Sequence, residues 1–177
     1  LSPSGTAHAS GSSLINSPAA AWNAADEEML VFGGFSNLAP YWLDTLSKYD
    51  AASDTWSTLS PSGTGPSGKY RASAVWDASA KRMYIYGGLN DYNDVFTSYA
   101  ELHSYNSASN SWSSLAAFAG RAGHVAAWDS SADEMLLFAG YDPSYLNDLR
   151  VYTLSSNSWS DPLSPSGNTP GSRAFHT

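Results

Sequence analysis

The chain contains no cysteine among its 177 residues, so it holds no disulfide framework, no thiolate nucleophile and no cysteine-ligated zinc, copper or iron–sulfur site. Positive charge is scarce as well. Eight Lys and Arg face sixteen Asp and Glu, a net charge of −8, which opposes the phosphate neutralisation that nucleic-acid binding requires and disfavours anionic membrane surfaces. No apolar run approaches the roughly 18 residues of a membrane-spanning helix, and no stretch shows apolar residues at helical spacing between caps. No Asn stands in an Asn-x-Ser/Thr sequon, which argues against a heavily N-glycosylated surface. Leu1 opens with neither a Met nor a basic leader, so a mature chain or a piece of a longer one is expected.

What is plentiful is aromatic surface. A chain that is 42% hydrophobic and 14% aromatic has enough apolar area to bury a core, and its aromatics recur at fixed intervals. Trp22, Trp76 and Trp128 each stand 11 residues before Gly33, Gly87 and Ala139, and 7 residues before Met29, Met83 and Met135. Farther along, Tyr49, Tyr105 and Tyr152 each precede a Trp (Trp56, Trp112 and Trp159) by 7 residues. The first-set Trp residues are 54 and then 52 residues apart, a period at which repeats mean propeller blades or solenoid units.

Each unit reads as four short strands. The Trp-bearing strand ("ASAVWD") leads through a polar turn to an apolar run ("RMYIYGG") whose continuity predicts burial on both faces. Its glycines end it. A third strand carries Leu46, Leu102 or Leu149 three residues before the Tyr, and a fourth carries the second Trp after a hairpin-like polar turn. "LSPSG" at residues 1–5, 59–63 and 163–167 follows a fourth strand or stands where one would end.

The pattern resembles the kelch repeat: a Gly-Gly strand, a Tyr-Asp strand, a polar turn, a Trp, and an Arg-x-x-His lead into the next unit. Tyr49-Asp50 with Trp56 fits it, as do Arg121-x-x-His124 and Arg173-x-x-His176. Ala139 replaces the first glycine in the third unit, Asn106 and Thr153 replace Asp50, and Lys69 with Ala72 replaces the Arg and His of the second unit. The resemblance implies an all-β fold, a kelch-type β-propeller segment of about three four-stranded antiparallel blades with partial blades at both ends. The units fall near 13–59, 72–115 and 123–163, with 164–177 starting a further blade. Three blades fall short of the four to eight that close a propeller, so self-association or additional blades are expected to complete the ring. Kelch propellers host protein binders and some enzymes alike; the copper oxidases among them need a cysteine joined to a tyrosine, which this chain lacks.

Candidate chemistries weaken on inspection. Gly63-x-Gly65-x-x-Gly68 has the form of a dinucleotide fingerprint, but Pro66 lies inside it and a strand follows, so no helix N-terminus is there for a pyrophosphate. His124 and His176 read as residues that bond neighbouring backbone at the lead of a blade, while His8 and His103 have no partner at metal-ligand spacing. Asp26-Glu27-Glu28 and Asp133-Glu134 could suggest a glycosidase pair, yet the second unit has Ala80, Lys81 and Arg82 there, the behaviour of a solvated turn. No catalytic residue, metal site or cofactor is expected.

Setting aside the repeated positions leaves Phe35, Tyr41, Trp42, Tyr92, Phe96, Tyr141 and Tyr145, all between the second and third strands of their units. These connections differ in length, as grafted surface does. In an up-and-down blade they share a face with the fourth-to-first-strand linkers, which carry Tyr70 and Phe118. The expected function is a non-enzymatic interaction module, binding a protein partner or serving as a subunit of a larger assembly, through Tyr41, Trp42, Asp91, Tyr92, Asp94, Phe96, Tyr141, Asp142 and Tyr145. The acids would favour a basic patch on that partner. Asp91 and Asp94 could also suggest calcium, without the spaced ligands of an EF-hand. The alternative reading is a fragment of a carbohydrate-binding or carbohydrate-active kelch-type protein, its aromatics stacking on sugars.

Overall fold

The apolar runs that end in Gly-Gly or Ala-Gly form the second strand of each of three antiparallel sheets in the computed structural model, which describes residues 4–5, 14–92 and 95–175. Strands β1 (Ser4–Gly5) and β2 (Ile15–Asn16) precede the first blade, made of β3 (Ala19–Asn23), β4 (Glu28–Phe32), β6 (Leu46–Asp50) and β7 (Thr55–Thr58), with β5 (Phe35–Ser36) between its second and third strands. The second blade comprises β8 (Tyr70–Asp77), β9 (Arg82–Tyr92), β11 (Leu102–Asn106) and β12 (Ser111–Ser114), and β10 (Val95–Ser98) folds back on β9. The third comprises β13 (Val125–Asp129), β14 (Glu134–Tyr141), β15 (Tyr145–Thr153) and β16 (Ser158–Trp159). Strands pair in chain order within each blade, and β3, β8 and β13 lie side by side as the inner strands. Among the described residues there is no helix.

Burial on both faces runs the length of the middle second strand and holds over Leu30, Val31 and Phe32 of β4. In β9 the residues from Met83 to Leu89 are all buried. Met83 and Ile85 pack with Leu30, Phe32 and Leu46 of the first blade, whereas Tyr84 and Tyr86 pack with Met135, Leu137 and Tyr152 of the third. The two-residue strand period thus sends alternate side chains into two inter-blade cores. In β14 the pattern alternates instead, with Leu136 and Phe138 only half-buried on the outer flank.

The repeated Trp residues are the contacts between blades. Trp128 stacks on Tyr84 at 4.9 Å and 11°, Trp112 meets Phe32 edge-on at 5.8 Å, and Trp159 lies 4.7 Å from Tyr86. Each reaches back to the second strand of the preceding blade. Trp22 has no preceding blade among the described residues and is 48% exposed.

Backbone bonds repeat in the same sense. Gly34, Gly88 and Gly140 each donate an N–H to the carbonyl of the following lead, at Lys69, Arg121 and Arg173, over 2.8, 2.9 and 2.9 Å. In that lead Arg121 makes a two-pronged pair with Asp148 at 2.9 and 3.0 Å, and Lys69, 1% exposed, reaches Glu101 at 2.6 Å. Lys69 therefore keeps the role of the missing arginine, because Glu101 stands one residue before Leu102 as Asp148 stands before Leu149. His124 bonds a side chain of the preceding blade, Ser73 Oγ, at 2.6 Å; His8 and His176 lie outside the described residues.

Candidate partner-binding face

In each blade the first strand starts, the second ends and the third starts at one end of the sheet, so the leads and the second-to-third-strand connections converge there. Four residues mark that end at the channel. Ser17, Arg71, Gly123 and Phe175 all hold left-handed backbone, with φ of 52°, 59°, 61° and 59°, at intervals of 54, 52 and 52 residues. They are stitched in sequence: Arg71 N–H to Ser17 O at 2.9 Å, Gly123 N–H to Arg71 O at 2.9 Å, and Phe175 N–H to Gly123 O at 2.7 Å. Behind them, the inner strands line an open hollow of about 630 Å³, bordered by Arg71, Ser73, His124 and Phe175 among others.

Around this mouth stand the aromatics. Phe35 stacks on Tyr41 (6.5 Å, 17°) and tilts onto Tyr70 at 5.6 Å, while Tyr41 meets Trp42 edge-on at 6.0 Å. Tyr70, Leu89 and Ala122 form a buried cluster beneath Phe35 and Trp42. Burial pushes the Tyr70 hydroxyl above its ordinary pKa, and the charge of Asp91 adds to that. Tyr41 (48%), Leu38 (54%) and Tyr145 (58%) are exposed here, as are Phe175 and Leu14, the latter bonded to Asn37 of the Leu38 loop.

The sequence-derived candidates divide accordingly. Tyr41 and Tyr145 are exposed, and Tyr145 meets Tyr141 edge-on at 5.5 Å. Trp42 is half-buried, and its Nε1 donates to Asp91 Oδ1 at 3.0 Å. Asp142 accepts from Ser98 Oγ at 2.6 Å, again across two blades. Asp94 lies outside the described residues, as do the side chains of Tyr92 and Phe96, whose backbones belong to the β9–β10 ribbon. Asp91 and Asp142 thus hold blades together. Among the described residues no three His, Asp or Glu are grouped to hold a metal ion.

Two features of the scaffold were not read from the sequence. One is the left-handed ring just described; its signal was the equal spacing of Ser17, Arg71, Gly123 and Phe175, hidden because their side chains share nothing. The other is a clasp in the third-to-fourth-strand turn. Tyr49, Tyr105 and Tyr152 donate their hydroxyls to Asp54, Asn110 and Asn157 at 2.9, 3.0 and 2.7 Å, and these Asx residues have φ of 52°, 46° and 47°. Asx side chains tolerate that conformation better than most.

These sheets and inter-blade contacts define a segment of a kelch-type β-propeller. A family model for the Attractin/LZTR1 β-propeller matches residues 6–119, and the chain belongs to that family. It is 30% identical over 136 residues, 74% of its length, to multiple epidermal growth factor-like domains protein 8 of Mus musculus. The Rattus norvegicus protein of that name shows the same identity and coverage, and the Homo sapiens one is 32% identical over 88 residues. The chain spans only about 5% of the mouse and rat proteins' length and 3% of the human one's.

Proposed function

We propose that the chain is a non-catalytic interaction module that binds a protein partner through the face carrying the second-to-third-strand connections. The observation behind this reading is the exposure of Leu38 (54%) and Tyr41 (48%) on the first blade's connection and of Tyr145 (58%) where β15 begins, at an end of the blades that differs between units while the strands beneath repeat. Large aromatics in the open serve interfaces rather than a core. Trp42, Tyr141, Asp91 and Asp142 contribute to the same face, with Tyr92 and Phe96 on the middle ribbon; Asp94 is proposed to join them from the sequence alone. The flanks suit further blades of the same type: Trp22 and Trp56 lie on one side, and Leu136, Phe138 and Leu149 on the other.

The test is the double variant Tyr41→Ser/Tyr145→Ser. Neither ring sits in a buried core cluster, so the melting temperature should hold while affinity capture from native extract loses its partners. Capture unchanged by the double variant would overturn the reading. Saccharide binding on a glycan array, abolished by the same variant, would overturn it in favour of a carbohydrate-binding role.

A further inference from the structure

We propose that Arg71 is the recognition point for a carboxylate at the channel mouth, presented as an Asp or Glu side chain of a protein partner; this rests on the loop-face reading and specifies the partner's chemistry.

The seat of Arg71 is built by its neighbours in the left-handed ring. A side chain at Gly123 would collide with the Phe175 ring. Its absence lets that ring lie over the position, and the Arg71 guanidinium sits 4.2 Å from the Phe175 ring centre and 5.1 Å from that of Tyr70. The two backbone bonds at Arg71 N and O fix where its side chain departs. An arginine so placed is pre-organised, and contact with aromatic rings uses none of its five N–H donors.

Those donors are open. Among the described residues the Arg71 side chain makes no hydrogen bond and no ion pair, whereas Lys48, Lys69, Lys81, Arg121 and Arg150 each face a carboxylate. Among the described residues the acids of this face bond elsewhere, Asp91 to Trp42 and Asp142 to Ser98. Arg71 also stands between two hollows, the open one of about 630 Å³ at the channel and a smaller one of about 190 Å³ lined by Leu89, Tyr141, Tyr145 and Phe175. The smaller hollow lies below the volume that drug-sized ligands occupy. It suits one apolar side chain beside the carboxylate.

A phosphate shares the anionic chemistry and the fork geometry that Arg recognises. The charge balance favours the carboxylate: one guanidinium neutralises one negative charge, and a phosphate dianion would bring a second into a chain of net charge −8.

The experiment pans a phage-displayed random peptide library against the chain, then measures the selected peptides on three variants. Arg71→Asn removes the guanidinium with a residue that tolerates left-handed backbone, Arg71→Lys keeps charge without the fork, and Tyr41→Ser/Tyr145→Ser removes the exposed aromatics. Selected peptides should carry an Asp or Glu next to an apolar residue. Their binding should fall at least tenfold in Arg71→Asn and less in Arg71→Lys, with thermal melts of both variants matching the parent. Changing the peptide's acid to its amide should cause the same loss, and changing it to phosphoserine should weaken binding. Peptides without an acid, indifferent to Arg71→Asn but lost in the Tyr double variant, would overturn the Arg71 assignment and leave the loop-face reading standing. Peptides indifferent to all three variants, or no enrichment, would overturn both. Tighter binding of the phosphoserine peptide would overturn the carboxylate.

Discussion

Trp42 Nε1 donates to Asp91 Oδ1 across 3.0 Å, and this bond joins the loop of the first blade to the second strand of the next. The indole also rests against the cluster of Tyr70, Leu89 and Ala122. A residue that lies outside the Trp repeat is therefore an inter-blade brace as well as part of the proposed binding face.

Trp42→Phe should keep much of the packing and lose the donor, at a cost of about 1 kcal/mol. Asp91→Ala should cost a similar amount, and a double-mutant cycle in urea should return most of it as coupling. Independent, additive effects would mean that the bond contributes nothing to holding the two blades together.

Asp148 sets the acid side of the stability profile. Burial alone would raise its pKa, but the hydrogen bonds and charges of Arg121 and Arg150 outweigh burial and hold the carboxyl below its ordinary 3.8. A group with a lowered folded pKa contributes its stabilisation in full above the unfolded value and loses it as the pH falls through the folded one. The melting temperature of the parent should therefore drop below about pH 4. Asp148→Asn leaves Arg121, 3% exposed in its side chain, without its charge partner, at a cost of about 2–3 kcal/mol near neutrality. Its melting temperature should then vary less between about pH 6 and pH 3 than the parent's. Glu101, whose pKa is lowered by its bonds to Lys69 and Ser67 against the pull of burial, keeps some acid dependence in both proteins. Parallel profiles for the two proteins would show that Asp148 does not carry this effect.

Gly87 tests the stitching between blades. Its φ is 66°, and an added Cβ would run into the carbonyl oxygen of Arg121. Arg121 is 2% exposed and pinned to Asp148, so that carbonyl cannot withdraw. Gly87→Ala should cost at least about 2 kcal/mol, combining left-handed strain with the collision. Ala139 holds the same conformation at φ 62° with its Cβ present, opposite a lead whose Arg173 is exposed and has no carboxylate pinning its side chain among the described residues. Gly171→Ala, with nothing within 4 Å of the new atom, should stay within about 0.5 kcal/mol in the same denaturation assay. Equal effects at the two glycines would disprove the steric account.

The blades were legible because their signals are local. The spacing of Trp to Met to glycine pairs follows from strand period and turn length, and Trp22 with Met29, Trp76 with Met83 and Trp128 with Met135 are cross-strand partners in all three blades. The face was legible in part. Unequal connections pointed to Tyr41 and Tyr145, but no spacing along one chain announces that Trp42 reaches Asp91 or Ser98 reaches Asp142, since such bonds depend on how one blade sits against the next. Arg71 was passed over for a different reason. Its conformation comes from the ring of backbone bonds, and the residues sharing it are Ser, Gly and Phe, so comparing side chains among units could not find it.

The repeated Trp residues are equivalent in sequence and unequal in setting, which gives a direct measurement of the inter-blade contact. Trp128 stacks face to face on Tyr84, whose hydroxyl burial pushes up to about 12, and packs against the cluster holding Met135 and Tyr152. Trp128→Ala should cost about 3 kcal/mol. Trp22 occupies the same place in the first blade but is 48% exposed, so Trp22→Ala should cost under about 1 kcal/mol in this chain. The difference isolates what a preceding blade supplies. If the flank of the first blade is covered by a further kelch blade, as proposed above, the cost of Trp22→Ala measured in a longer chain carrying that blade should rise toward that of Trp128→Ala. A cost that stays low there would show that the flank of Trp22 is not an inter-blade surface.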